Sequence, residues 1–159
     1  MATPTYDLLA STTLATAASS VTFSSIDQSY GDLTLSIAGK TTSLTDVMFR
    51  FNSDSGSNYN VVNMYANVDG AVSSSFGTTS GWLAPITWGP DDIQTLKIDI
   101  FDYTAAKHKT VLSRGSNGSK FVDASANRWA NTAAITSLEI RVNTNFAAGA
   151  TLNLYGVAK

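Results

Sequence analysis

The chain contains no cysteine, a single histidine (His108) and a single glutamate (Glu139). Without cysteine there is no disulfide framework, no thiolate metal site and no cysteine nucleophile. Only 14% of the 159 residues are charged, and the formal net charge is −2. That balance supplies no basic field to grip a phosphate backbone, which disfavours nucleic-acid binding. No apolar run approaches the ~18 residues a membrane-spanning helix needs, so no membrane insertion is expected. Met1–Leu9 does not place a basic segment before an apolar one, so no Sec-type signal is expected. Long polar helix formers are scarce too, with six Lys, two Gln and one Glu.

What the chain does have is hydroxyl groups and β-formers. Twenty Ser and twenty Thr make up about a quarter of it, and eleven of the twelve acids are aspartates. Thr, Val, Ile and aromatic residues suit a pleated, half-buried surface, while Ser, Asn, Asp and Gly cluster between apolar stretches where turns belong. A hydrophobic fraction of 43% argues against disorder. The few charges lower the desolvation cost of contact, which suits a protein packed into an assembly.

Period-two alternation recurs along the chain. It is clearest in Leu33-Thr34-Leu35-Ser36-Ile37 and is repeated at Val21/Phe23, Val47/Phe49/Phe51, Leu96/Ile98/Ile100, Leu138/Ile140/Val142 and Leu152/Leu154. Tyr6–Leu9, Ala71–Phe76, Trp82–Trp88 and Lys109–Arg114 read as further strands, the last closed by the turn signal Arg114-Gly115-Ser116-Asn117-Gly118-Ser119. Phe121–Ser125 and Arg128–Asn131 are weaker, and Val61–Tyr65 fits a strand or a short helix. About ten short strands between turn clusters predict an all-β fold: an antiparallel β-sandwich, jelly-roll-like, with a small barrel as the competitor. No linker, fixed-period repeat or charge block divides residues 1–159, so one domain is expected. Residues 1–6, held extended by Pro4, form a candidate docking arm for a neighbour's sheet.

The inventory for catalysis is thin. His108 lies between Lys107 and Lys109, which would hold it neutral, and no sequence-local carboxylate orients it; an exposed loop histidine is expected. The pairs Asp91/Asp92 and Asp99/Asp102 are conceivable as a two-carboxylate glycosidase, yet read first as a turn and an outward strand position. No phosphate loop and no His-based metal spacing is present. Asn52-Ser53-Asp54-Ser55-Gly56-Ser57-Asn58-Tyr59 has the oxygen spacing of a calcium loop but one carboxylate where calcium wants several. It also resembles a degenerate Asp-box, a hairpin element without catalytic function. Either way it reads as a turn in which Asp54 caps amides, Gly56 takes a positive φ and Tyr59 staples the hairpin. Aromatic faces near Asn and Asp make glycan platforms, so Trp82, Trp88 and Tyr59 are candidate glycan or interface residues, with Trp82 and Trp88 expected in an exposed segment around Pro85. No catalytic residue, cofactor or metal is expected.

Several blocks carry a family resemblance. They are Leu9–Leu14, Val21–Ile26 and Tyr30–Leu33; Phe49–Asn52 with Asp54–Tyr59; Lys109–Arg114, Trp129–Ser137 and Phe146–Gly156. Together they resemble small virion proteins of tailed bacteriophages, most closely those of marine and cyanobacterial phages. The sequence departs from that pattern at Asp27, where a proline is expected, and in Val157–Lys159. The resemblance implies a non-enzymatic structural protein located in the virion, a capsid decoration or small appendage protein. It also implies a homo-oligomer, with a trimer favoured, and contacts to other capsid or tail proteins. The alternative it implies is the receptor-binding tip of a tail fibre or spike that recognises host-surface glycan. No shaft repeat or heptad pattern supports a long fibre.

Overall fold

The computed structural model describes residues 5–67, 69–70, 72–79, 83–117 and 121–159. Twelve strands and no helix are found among them. The first six are β1 (Tyr6–Thr13), β2 (Ala18–Ser24), β3 (Asp32–Gly39), β4 (Thr45–Phe51), β5 (Tyr59–Asn67) and β6 (Val72–Thr79). The rest are β7 (Leu83–Trp88), β8 (Gln94–Ile100), β9 (Lys109–Asn117), β10 (Phe121–Trp129), β11 (Ser137–Phe146) and β12 (Thr151–Val157). They form an antiparallel β-sandwich. One sheet has eight strands in the order β1-β12-β3-β8-β9-β10-β5-β6, and the other four in the order β2-β11-β4-β7. The chain passes from one sheet to the other at most of its early connections, which is the jelly-roll-like trait, and neither sheet closes on itself as a barrel would.

The cleanest alternations form the core because each repeats every second residue on one face of a strand. Leu33, Leu35 and Ile37 of β3, Leu96, Ile98 and Ile100 of β8, and Leu152 and Leu154 of β12 line the inner face of the large sheet. Val47, Phe49 and Phe51 of β4, Leu138, Ile140 and Val142 of β11, and Val21 and Phe23 of β2 do the same for the small one. All belong to a single buried cluster. Each such side chain contributes about 1.5–3 kcal/mol, so a one-residue slip of register, which would turn a whole set to solvent, is strongly disfavoured. The lone glutamate has its place here: Glu139 on β11 faces Arg50 on β4 across the outer surface of the small sheet, in a half-buried ion pair at 3.1 Å.

The structure extends or corrects several expectations. Val61–Tyr65 is strand, inside β5, and the two weak segments after Phe121 are one strand, β10. Trp88 ends β7 and is fully buried against Phe146, with ring centroids 6.3 Å apart and the rings nearly perpendicular. It is not part of an exposed loop. Tyr6 already pairs with Val157 in β1. The turn expected from Arg114 does not start there, because β9 pairs with β10 as far as Asn117. Residues 1–4 of the expected arm, Ala71, Gly81, Trp82 and Gly118-Ser119 lie outside the described residues.

Candidate functional site

At one end of the sandwich the Asn52–Tyr59 segment is a fastening. Phe51 O accepts a hydrogen bond from Asp54 N at 2.8 Å, and Asn52 and Ser53 between them have φ of 49° and 55°, the left-handed pair of a primed turn. Asn52 tolerates that conformation and uses its side chain as a bolt. Its Nδ2 donates to Ala134 O at 2.8 Å, and its Oδ1 accepts the Thr136 and Ser137 N–H groups at 2.8 and 3.1 Å.

Asp54 caps as expected, and more widely. Its carboxylate accepts from Gly56 N (2.9 Å), Asn58 Nδ2 (2.9 Å) and Trp129 Nε1 (2.7 Å). Burial pushes the carboxyl up, but the hydrogen bonds from Gly56, Trp129, Asn58 and Asn131 outweigh it and hold the group below the usual carboxylate range. Gly56 is not a positive-φ position. A Cβ there would lie 2.8 Å from Asn58 Nδ2 and 3.2 Å from Asp54 Oδ1, so the glycine is needed for close approach. The Asp54 carboxylate and the Asn52 amide oxygen are thus engaged by the protein's own N–H and O–H donors, as in a structural hairpin.

Tyr59 and Trp129 are fully buried beneath that turn, packed with Phe51 at ring-centroid distances of 6.4 and 5.4 Å. The Tyr59 hydroxyl donates to Asp54 O and accepts from Phe51 N, and burial pushes its pKa up to about 12. The structure therefore takes Tyr59 and Trp88 out of any glycan platform, because a buried ring offers no face to a sugar. Trp82, the third candidate, lies outside the described residues. Lys109 is also fully buried. Its ammonium donates to Ala105 O and Lys107 O, both at 2.6 Å, with the Trp129 ring 6.0 Å away. Burial, with help from Lys107, pulls its pKa down.

None of the titratable pairs converges into a catalytic arrangement. His108 is exposed. Asp99 accepts from Thr34 at 2.8 Å and pairs with Lys97 at 3.0 Å, whereas Asp102 sits in a turn with φ 48° and pairs with Lys107 at 2.6 Å. Asp91 and Asp92 lie in the bend between β7 and β8. Among the described residues no group of three His, Cys, Asp or Glu is placed to hold a metal ion.

The unusual surface lies at the other half of the large sheet. On the outward face of β9, β10, β5 and β6, register aligns Leu112, Ala126, Val62 and Phe76 in one row across four strands. Two residues along, Arg114, Ala124, Met64 and Ser74 are aligned, and then Ser116, Val122, Ala66 and Val72. Phe76 is 90% exposed, Val72 80%, Val122 65% and Met64 60%. With strands about 4.8 Å apart and a rise of about 3.4 Å per residue, the three rows span roughly 14 Å by 14 Å. Counting the relief of the side chains, that is a patch of the few-hundred-Å² class that marks contact surfaces. Its outward residues include Arg114 and Arg128 but no acid. The outward residues of β3, β8 and β12 are instead polar, with Thr34, Ser36, Lys97, Asp99, Asn153 and Tyr155. At the far edge of the sheet β1 adds exposed Tyr6 and Leu8, but the apolar rows that run unbroken across four strands lie in the β9-β10-β5-β6 half.

Behind that patch, the inward face is polar where a core is expected. Asp123, Ser125 and Asn127 alternate inward along β10, flanked by Ser113 on β9 and Asn63 on β5. Ser113 and Ser125 hydrogen-bond to each other, and Asn127 Nδ2 donates to Ser125 Oγ at 2.7 Å. The Asn127 and Asn63 side-chain carbonyls are buried without a partner, and burial alone pushes the Asp123 carboxyl up to about 6. A sheet with polar groups inside and apolar groups outside gains little from its own core in this region and offers its binding energy outward.

No family model matches the sequence, and no curated protein matches it. Among solved structures, the chain is similar to Caenorhabditis elegans galectin LEC-6 at 14% identity, over 100% of this chain and 99% of the galectin, with a TM-score of 0.38. A structure of infectious bursal disease virus, Gt strain, shares 14% identity over 94% of this chain and 42% of that one, with a TM-score of 0.17. Likenesses this distant carry nothing about function.

Proposed function

We propose that this chain is a non-enzymatic structural protein of a bacteriophage particle, a decoration or small appendage protein that attaches through the outward face of β9-β10-β5-β6. The observation that carries this is the apolar patch: Leu112, Val122, Val62, Met64, Val72 and Phe76 share one exposed face backed by a polar interior, the largest cluster among the exposed apolar side chains of the described residues. A buried interface of standard size takes about 800 Å² from each partner. The patch would be its apolar centre and the surrounding Ser and Thr its rim. Arg114 and Arg128 suit a partner that presents carboxylates at that rim. Support for the virion setting is the sequence resemblance set out above. The host-glycan alternative loses two of its three aromatic residues, Trp88 and Tyr59, to the core.

Incorporation tests the proposal. In particles grown from a phage encoding the wild-type chain, quantitative mass spectrometry should find it at a fixed copy number. Val122→Lys and Met64→Lys chains, folded and equally expressed, should fall at least tenfold below that number. Wild-type-like incorporation of both variants, or absence of the wild-type chain from purified particles, would overturn it.

A further inference from the structure

We infer that the β6 edge of the large sheet is a self-pairing site for a second copy of this chain, joining two sandwiches into one continuous sheet about a two-fold axis. Among the described residues the sandwich has four edge strands, β1, β6, β2 and β7. Natural sheets keep such edges from templating further strands with bulges, prolines, charges or short length. Two of these edges, β1 and β7, carry such a device in the edge strand itself, while at β2 the irregularity falls in its partner β11 and buried Val21 and Phe23 tie the strand to the core. The register of β1 against β12 slips between Leu8 and Ala10, and β1 includes Asp7. The pairing of β2 with β11 breaks between Arg141 and Phe146. The β7 pairing with β4 shifts between Val47 and Phe49, and β7 contains Pro85.

The β6 edge has none of these. It pairs with β5 without a register shift from Ala66↔Val72 to Tyr59↔Thr79, and its sequence, VSSSFGTT, has neither proline nor charge. Val72 to Phe76 are exposed on both faces of the strand, so the edge stands clear of the small sheet.

The sequence of the edge also names the occupant. Val72-Ser73-Ser74-Ser75-Phe76 is nearly symmetric about Ser74. Two antiparallel copies centred there place Val72 opposite Phe76 of the second copy, twice, on the outward face. Ser73 faces Ser75, and Ser74 faces itself. An aromatic residue across from a β-branched one and hydroxyl across from hydroxyl are favourable cross-strand pairs, and no like charges meet. A two-fold, isologous contact of this kind closes after two copies. It also brings the two apolar patches together side by side on one face, so the inference rests on, and deepens, the attachment proposed above. It replaces the expected trimer with a dimer.

Because the chain has no cysteine, Ser74→Cys introduces a sole thiol. Residues directly opposite in an antiparallel pair have Cα atoms about 4.5–5.5 Å apart, within disulfide reach. Mild oxidation of Ser74→Cys should convert most of the protein to a disulfide-linked dimer. Thr110→Cys, on the outward face of β9, should stay largely monomeric in the denatured gel. By light scattering, the wild type should have the mass of a dimer, Ser74→Pro and Phe76→Lys should have that of a monomer, and Met64→Lys should remain a dimer. A monomeric or trimeric wild type, a dimer that survives Ser74→Pro, or equal crosslinking of the two cysteine variants would overturn edge pairing. Loss of the dimer in Met64→Lys with its retention in Ser74→Pro would place self-association on the patch and not the edge. Edge pairing would then fail while the proposed attachment surface stood. A dimer that behaves as expected but never enters particles would leave edge pairing intact and sink the attachment.

Discussion

Two aspartates show how much a residue's surroundings decide. Asp54 is a carboxylate the fold wants ionised, because three N–H donors within 2.9 Å point at it. Its folded pKa lies below the ordinary value, so its stabilisation is present above the ordinary carboxyl pKa and is lost as pH falls through the folded one. Asp54→Ala should cost about 2–3 kcal/mol at pH 7, since it strands charge-assisted donors including the Trp129 indole. That cost should shrink toward pH 2 in urea denaturation.

Asp123 is the opposite case. Its pKa is pushed up to about 6, so the native chain holds a proton between roughly pH 4 and 6 that the unfolded chain releases. Its contribution is therefore full below pH 4 and lost as pH rises through 6. Asp123→Asn should stabilise the protein at pH 8 by about 1–2 kcal/mol, allowing for partial solvent screening, and change little at pH 4. Denaturation midpoints at the two pH values check both size and sign. The sequence shows Asp54 in a turn motif but gives no sign that Asp123 faces inward. Ser113, Ser125 and Asn127 have the outward composition of an ordinary strand, and only the pairing with β5 and β9 reveals that their apolar neighbours are the ones outside.

Strands that bury one face against the opposite sheet were legible. β3, β4, β8, β11 and β12 follow from alternation alone because one face is apolar and the other is not. β5 was ambiguous for a physical reason. Val61 and Val62 are adjacent, one inward and one outward, so the period-two signal cancels. β10 looked like two weak strands because its inward residues are polar. Where the hydrophobic pattern is inverted or two-sided, the strand is serving a surface as well as a core. Close packing between elements was likewise hidden. Gly156 in β12 lies under the Tyr30 ring, where a Cβ would come within 2.4 Å of ring carbon. Gly156→Ala should lower the melting temperature by several degrees, through about 1–3 kcal/mol of overpacking, without altering association. Calorimetry and light scattering on the same sample separate the two effects.

On the scale of the whole molecule, two sheets of unequal width explain the surface. Four strands cannot cover eight, so β6 is left solvated on both faces and the large sheet turns an apolar flank outward. Two of the three aromatic residues expected as a sugar platform, Trp88 and Tyr59, are spent on the core, as is Trp129. A paucity of charge, one histidine and one glutamate agree with a molecule that works by contact. Val122→Lys and Met64→Lys should leave folding stability within about 0.5 kcal/mol of wild type, as exposed substitutions do. Their effect should fall on assembly alone.

The most direct measurement is reconstitution with purified components. Particles assembled without this chain are mixed with increasing amounts of the pure wild-type protein, and bound copies are counted per particle. Saturation at a fixed number, abolished by Val122→Lys, is the predicted result. No binding, or unsaturable binding that the lysine variant shares, would contradict a structural role at the particle surface.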